Sequence, residues 1–538
     1  MASVDWQKLI EAKLADRDSR IRPEWRLDER ITMQVNHHST LSAFDLLDQT
    51  TFFTEREREI TEKHDASTLI QMMATGAISS VEVTTALCKR AAIAQQLTNC
   101  LTEIFFDNAL QRAHECDEFL AREGRPMGPL HGMPISIKDT LMVKGEAATL
   151  GFVSYLVKPV ADENSVLVNM LLEAGAVLYC KTNVPQTLFM TEGMNNVFGY
   201  TMNPHKLCLT PGGSSSGEGA LVGFRGSLLG VGSDIGGSIR LPSIWCGAFG
   251  FKPTANRIPY SGQQDLIPKG SPGVTPALGP HAQSAKDLTL FSKTIIQAQP
   301  WKRDPAALCI PWRDIPTKDK LNIGVWVTNP DLPVSLQVTR TLHTAVADLE
   351  AAGHQITPIE FPLSLMQVAK TFLKSTKLDP NNSIFKLLAD GGEQPLPALL
   401  NTAASVPTEQ REYTLKDVWD FNRERDDYRK VWHKVWAESN IDVLLCPAAR
   451  FPAVAHGKVG APWHTMVWNL LDCPASVIPF LTADNATDPQ IIEGYDPELS
   501  QGAPCGLQVV GWTGQDEEVL MATEVISEAL ESGSAAHL

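Results

Sequence analysis

Three separated segments of this 538-residue chain hold side chains able to make or break a covalent bond. Lys138 closes an apolar run, Pro134-Ile135-Ser136-Ile137. Pro211-Gly212-Gly213-Ser214-Ser215-Ser216-Gly217 is a loop of small residues with three serines. Gly230-Val231-Gly232-Ser233-Asp234-Ile235-Gly236-Gly237-Ser238-Ile239-Arg240 sets a further serine behind a glycine pair. A serine hydroxyl is a weak nucleophile and needs a base. A buried lysine is one such base, because desolvation disfavours its ammonium form. The commoner fate of a lysine at a strand end is to reach solvent or pair with a neighbour, here Asp139. Gly236-Gly237 breaks any regular element, and Pro242 is tolerated only in the first turn of a helix, so a helix is expected to start near Ser238. Backbone N–H groups from Ile235 to Ser238 could then converge on an anion, as an oxyanion hole requires.

Other readings of these glycines compete. A phosphate-binding P-loop ends in G-K-[ST], which is missing. Gly230-Val231-Gly232 misses the dinucleotide fingerprint because the third glycine comes one position late, at Gly236. Gly213-Ser214-Ser215-Ser216-Gly217 matches G-x-S-x-G, which would make Ser215 an elbow nucleophile. That motif needs a buried strand before it, and Asn203-Pro204-His205-Lys206-Leu207 is not one. Taken alone, the segment also reads as a glycine-rich packing loop.

The elements that must position these residues alternate along the chain. One helix runs through Leu69, Ile70, Met72 and Met73 to Gly76. The next opens at Ser79-Ser80-Val81-Glu82, a capping box, and turns Val83, Ala86 and Leu87 inward. Strands are expected at 134–137, 176–180, 322–327, 355–359, 442–445, 475–478 and 506–510. Helices are expected around Val166–Leu171 and Leu342–Leu349, ending near Gly175 and Gly353. This alternation predicts an α/β fold, a large mixed, mostly parallel twisted β-sheet sandwiched between helices on both faces. Residues 1–60 are expected to form an N-terminal helical extension, and 61–538 a single catalytic domain. The stripe Trp6, Leu9, Ile10 and Leu14 is expected to dock on protein rather than on a membrane, because its polar face is not strongly basic.

Composition narrows the partners. The net charge is −16, so the chain lacks the electrostatic footprint of a nucleic-acid binder. No apolar run reaches the roughly 18 residues that span a bilayer. The ten cysteines show no C-x-x-C or paired spacing and read as reduced thiols. The first twenty residues hold no apolar secretory core. A cytoplasmic location is expected. Ala536-His537-Leu538 is a loose version of the peroxisomal ending and makes peroxisome the minor alternative.

Lys138, Gly212-Gly213-Ser214-Ser215 and Asp234-Ile235-Gly236-Gly237-Ser238-Ile239-Arg240, in this order and with Ser214 and Ser238 24 positions apart, resemble the amidase signature family. The segments 88–100 and 181–188 look like those of fungal acetamidases. The likeness covers nearly the whole chain and is weakest between about 360 and 440. The resemblance implies a Ser–Ser–Lys triad. Ser238 would be the nucleophile. Ser214, on a cis peptide bond, would relay protons to Lys138. Ile235, Gly236, Gly237 and Ser238 would supply the oxyanion N–H groups, and Leu188 would lie near the acyl-binding site. It implies no metal and no cofactor. Asp234 and Arg240 read as a structural ion pair and Cys246 as packing. Ser216 departs from the family, which commonly has glycine there; if the position needs φ > 0, serine is strained.

The expected function is hydrolysis of small-to-medium carboxamides, with a small-molecule amide as the substrate. A homodimer is compatible with the sequence. Fatty-acid or aryl amides are the alternative substrates, for which Trp463, Trp468, Leu470 and Leu471 could line a larger acyl pocket or simply fill the core. A glutaminase subunit of a tRNA amidotransferase and a non-catalytic amide-binding protein are further alternatives. The first fits the acetamidase likeness poorly, and the second fits the intact triad positions poorly.

Overall fold

A computed structural model describes residues 5–264, 266, 270, 273–379, 381–405, 411–489, 492 and 494–537. Eleven strands form one sheet: β1 (Leu101–Ile104), β2 (Pro134–Lys138), β3 (Val177–Thr182), β6 (Leu229–Asp234), β7 (Phe249–Lys252), β8 (Ala277–Ala282), β9 (Asn322–Val325), β10 (Gln355–Pro358), β11 (Val443–Cys446), β12 (Ala475–Thr482) and β13 (Pro504–Val510). A separate small hairpin pairs β4 (Met194–Asn195) with β5 (Gly199–Tyr200). The order across the large sheet is β1-β3-β2-β6-β8-β7-β12-β13-β11-β9-β10. Parallel pairing occurs in two blocks, β3-β2-β6 and β11-β9-β10. The centre, β6-β8-β7-β12-β13-β11, is antiparallel, which the strand–helix alternation of the sequence does not anticipate.

Helices cover both faces, as expected for a sheet whose strands, apart from the edge strand β10, are mostly buried. One core gathers Ile135, Ile137, Leu167, Phe291, Leu342 and Val519. A second, with Ala91, Phe106, Tyr179 and Leu221, fills the opposite side near β3. Alternation on β2 sends Ile135 and Ile137 into the first core and leaves Ser136 and Lys138 on the other face. The strands β1, β6, β7 and β8 are not among those expected from sequence. Gly230, Gly232, Gly279 and Pro280 lie inside β6 and β8 and weaken the period-2 signal there.

The first helix, Trp6–Ser19, docks on the protein body. Trp6, Ile10 and Leu14 pack against Val153, Val197 and Phe198; Leu9 is not part of this cluster. The same helix buries Arg17, whose Nη1 donates to Asn99 Oδ1 at 3.0 Å and to the Leu101 carbonyl at 3.1 Å. Lys13 pairs with Glu103 on β1. Burial pushes the Glu103 carboxyl up to about 7, with Lys13 opposing the shift. Because the folded pKa lies above the usual 4.5, the folded state binds the proton more tightly, and stability falls as pH rises from about 4.5 through about 7. Lys13→Ala removes the opposing cation and deepens that fall. Thermal unfolding of the variant is expected to match wild type most closely at pH 5 and to show a loss of about 2–4 kcal/mol at pH 8.

Candidate active site

The parallel block β3-β2-β6 delivers three chain ends side by side. Lys138 ends β2 opposite Thr182 of β3, and Ile137 pairs with Val231 of β6. The carboxyl ends of parallel strands are where α/β sheets place ligands. Here β2 ends on Lys138, β6 runs into the Ile235–Ser238 turn, and β3 leads to the short turn Gln186–Leu188.

Lys138 is fully buried. Its Nζ lies 2.8 Å from Ser214 Oγ, 2.9 Å from Ser233 Oγ and 3.4 Å from the Ser233 carbonyl. Among the described residues no carboxylate forms an ion pair with it, and Asp139, the neighbour a surface lysine would use, bonds Thr102, Thr149 and Leu150 N and pairs with Lys181 instead. Burial therefore governs, and pushes the Lys138 pKa from 10.5 down to about 7, against the attraction of Asp234 and Glu218. A neutral amine has two N–H donors and one lone pair. The two Ser233 oxygens can take both donors, which turns the lone pair toward the Ser214 hydroxyl. Ser233 was not singled out from sequence. Its signal was the segment's own spacing, which puts it beside Asp234 at the end of an unrecognised strand.

Asp234 shapes the turn that follows. Its carboxylate accepts from the N–H groups of Gly237 at 2.8 Å and Ile239 at 3.0 Å, and from both Nε and Nη2 of Arg240 at 3.0 Å. Asn469 Nδ2 adds a bond at 2.8 Å. Burial pushes this carboxyl up, but the Arg240 guanidinium and these donors outweigh it and hold the group far below the usual carboxylate range. Arg240 also reaches the Thr465 carbonyl, Gln508 and Asn469. Gly237 has φ +132°, and a Cβ there would overlap Thr465 Oγ1, so only glycine fits. Its N–H is committed to Asp234. The N–H groups of Ile235, Gly236 and Ser238 have no protein acceptor among the described residues. The helix begins at Arg240 with Pro242 in its first turn, two residues later than expected.

The serine loop closes over Lys138. The Gly213–Ser214 peptide is cis, and Ser215 N donates to the Ser238 carbonyl at 3.1 Å, which ties the two serine segments together. Ser215 is fully buried and its Oγ turns to the Ser233 carbonyl at 3.3 Å. Residues 201–215 contain only an isolated bridge, Leu209 to Ala455, so the strand that an elbow needs is absent. Ser216 opens the helix Ser216–Gly223 without positive φ, so serine is not strained there. Cys246 Sγ contacts the Pro211 carbonyl at 3.5 Å and is otherwise packed.

Ser238 opens on a narrow cavity of about 50 Å³ walled by Leu188, Met190, Ile235, Phe372 and Met466. Leu188 sits there with φ +61°. Trp468, Leu470 and Leu471 do not line this cavity; they are core, with Trp468 edge-on to Trp432 at 5.0 Å. Phe372, which sequence reading missed, comes from helix Leu365–Thr376, inside the stretch where the family likeness is weakest. Among the described residues no group of three or more His, Cys, Asp or Glu is placed to hold a metal.

A family model described as Amidase matches residues 82–520. The chain belongs to the amidase signature family. It is a hydrolase acting on amide C–N bonds. The enzyme is 52% identical to an "Amidase" of Gibberella moniliformis over 99% of this chain and 100% of that one. It is 36% identical to an "Acetamidase" of Emericella nidulans over 98% of both. Among solved structures, a "Fatty acid amide hydrolase" superposes with a TM-score of 0.92 at 32% identity, covering 98% of this chain and 95% of that one. Among the described residues no helix is long and apolar enough to cross a membrane.

Two substitutions test this geometry. Asp234→Ala leaves the Arg240 guanidinium buried without its carboxylate and is expected to lower stability by about 3–5 kcal/mol in chemical unfolding, with loss of turnover. Ser216→Ala removes a buried hydroxyl that has no hydrogen-bond partner among the described residues, and its melting temperature is expected to equal or exceed that of wild type.

Proposed function

We propose that the enzyme hydrolyses small-to-medium carboxamides to a carboxylate and ammonia or an amine through Ser238, Ser214 and Lys138. The observation that carries this reading is a buried lysine whose amine lies 2.8 Å from the Ser214 hydroxyl, beside a turn with unclaimed N–H groups. Neutral Lys138 takes a proton from Ser214 as Ser214 takes one from Ser238. The Ser238 oxygen attacks the amide carbonyl. The tetrahedral oxyanion is held by the N–H groups of Ile235, Gly236 and Ser238, with Gly237 holding the turn in shape. The proton returns through Ser214 to the departing nitrogen, without which an amide does not release its amine. Water then attacks the acyl-enzyme by the same relay.

The narrow apolar cavity and the 36% identity to an acetamidase favour short acyl groups. The fatty acid amide hydrolase likeness favours a second reading, in which the acyl group is long. A homologous series from acetamide to decanamide separates them. The first reading expects kcat/KM to peak at short-to-medium chains, and the second expects it to rise to the end of the series.

The mechanism is tested by a fluorophosphonate, which traps activated serines. One adduct on Ser238 is expected, and none in Ser238→Ala, which should also lack turnover. An adduct on Ser215, or full activity of Ser238→Ala, would overturn the assignment. Because Lys138 acts only when neutral, kcat/KM is expected to fall about tenfold per pH unit below about 7 and to level off above it. Lys138→Ala should remove most activity and move the remaining pH dependence upward.

A further inference from the structure

Behind the lysine lies a carboxylate that the relay does not use. Glu218 is fully buried in the first turn of helix Ser216–Gly223, four residues after Ser214. Its Oε2 accepts from Ser136 Oγ at 2.7 Å and its Oε1 from Thr182 Oγ1 at 2.9 Å. Ser136 lies two residues before Lys138 on β2, and therefore on the same face. Thr182 is the register partner of Lys138 on β3. On β6, Gly230 faces Ser136, and a Cβ there would overlap Glu218 Oε2. The missing side chain at Gly230 thus makes room for this carboxylate, and its two oxygens accept from hydroxyls on the lysine's own strand and on the neighbouring β3. Among the described residues no cation forms an ion pair with it.

We propose that Glu218 is a positioning residue for Lys138: it fastens the Ser214 loop to the lysine's strand and supplies the buried negative charge against which Lys138 gains and loses its proton. The role rests on the reading of Lys138 as the base. The titratable groups around the pair are few. Cys180 and Tyr179 on β3 and Cys100 before β1 lie near Glu218, and burial raises all three, so they stay neutral. Asp234 on β6 and His281 on β8 face Lys138. Asp234 is held ionised by Arg240, and burial pushes His281 down to about 3 and keeps it uncharged near neutrality. Glu218 is therefore the neighbour whose charge can change in step with the lysine. Burial pushes its carboxyl up to about 7, while the two hydroxyls and Lys138 act the other way.

The test is the pH dependence of kcat/KM in the full chain. Glu218→Gln keeps an amide that can still meet both hydroxyls but removes the charge. Without that charge the lysine loses its proton more easily, so the acid limb is expected to move to lower pH by half a unit or more. A purely structural residue would lower kcat without moving the limb. If Glu218→Gln does not fold, Ser136→Ala gives the same readout. Loss of one hydroxyl donor makes the carboxylate harder to ionise, and the limb should again move down. An unmoved limb in the folded Glu218→Gln, or in Ser136→Ala when the former does not fold, overturns the proposal. Lys138→Met separates the two levels. If it retains the wild-type profile, Lys138 is not the base and the catalytic reading itself fails. If it is inactive while the Glu218→Gln limb stays at the wild-type pH, only the role of Glu218 fails.

Discussion

The structure depends on keeping one amine out of water. Lys138 sits at the end of a fully buried strand and touches hydroxyls and a carbonyl, but, among the described residues, no counter-ion. A buried ammonium without a partner is expensive, so the group gives up its proton near neutrality instead. Everything that walls off this position supports that exchange. Asp139, which could have neutralised the charge, is drawn away by Thr102, Thr149, Leu150 N and Lys181. The parallel block β3-β2-β6 carries Lys138, Ser233 and the start of the Ile235–Ser238 turn to one edge.

A second buried group of charges takes the opposite course. Asp234 and Arg240 are both fully buried, and Asp234 stays ionised because the Arg240 guanidinium, Asn469 and backbone N–H groups outweigh the cost of burial, while Gln508 and Asn469 take the remaining Arg240 donors. Such a pair adds little net stability compared with apolar packing, but breaking it is costly. Its use here is geometric. It fixes the N–H directions of residues 235–239, and it spends the Gly237 N–H in doing so. The two sites therefore differ in their surroundings: a lone amine loses its proton near neutrality, whereas a well-bonded carboxylate stays charged.

The N-terminal helix belongs to the same economy of burial. It brings Lys13 and Arg17 to the edge strand β1 and covers the cluster around Val153, Val197 and Phe198. Arg17 and Arg20 donate to the Leu101 and Ile104 carbonyls, so this helix covers an edge that would otherwise expose unpaired strand groups. Far from β1, helices Leu365–Thr376 and Trp463–Leu470 close the other side and supply Phe372 and Met466 to the cavity wall.

The sequence by itself determined the local terms. The segments holding Lys138, Ser214 and Ser238 stood out in residue type and short spacing, and it was the resemblance to the amidase signature family that implied which serine does what. The capped helix after Ser79, the strand at 177–182 and the helix ending near Gly353 were legible from periodicity and caps. The α/β class, with helices on both faces of one large sheet, followed from alternation. What the tertiary structure decided were pairings between distant segments. Strands β6 and β8 hide behind glycine and proline, because their neighbours rather than their own propensity hold them extended. That concealed Ser233 as a second partner of the lysine. The commitment of Gly237 N–H depends on where Asp234 folds back, and the ease of Ser216 depends on its being helical. The cavity wall joins residues 188, 235, 372 and 466, a set that no sequence window contains. Contacts of that separation exist only after the chain has paid its ordering entropy, and so no local pattern records them.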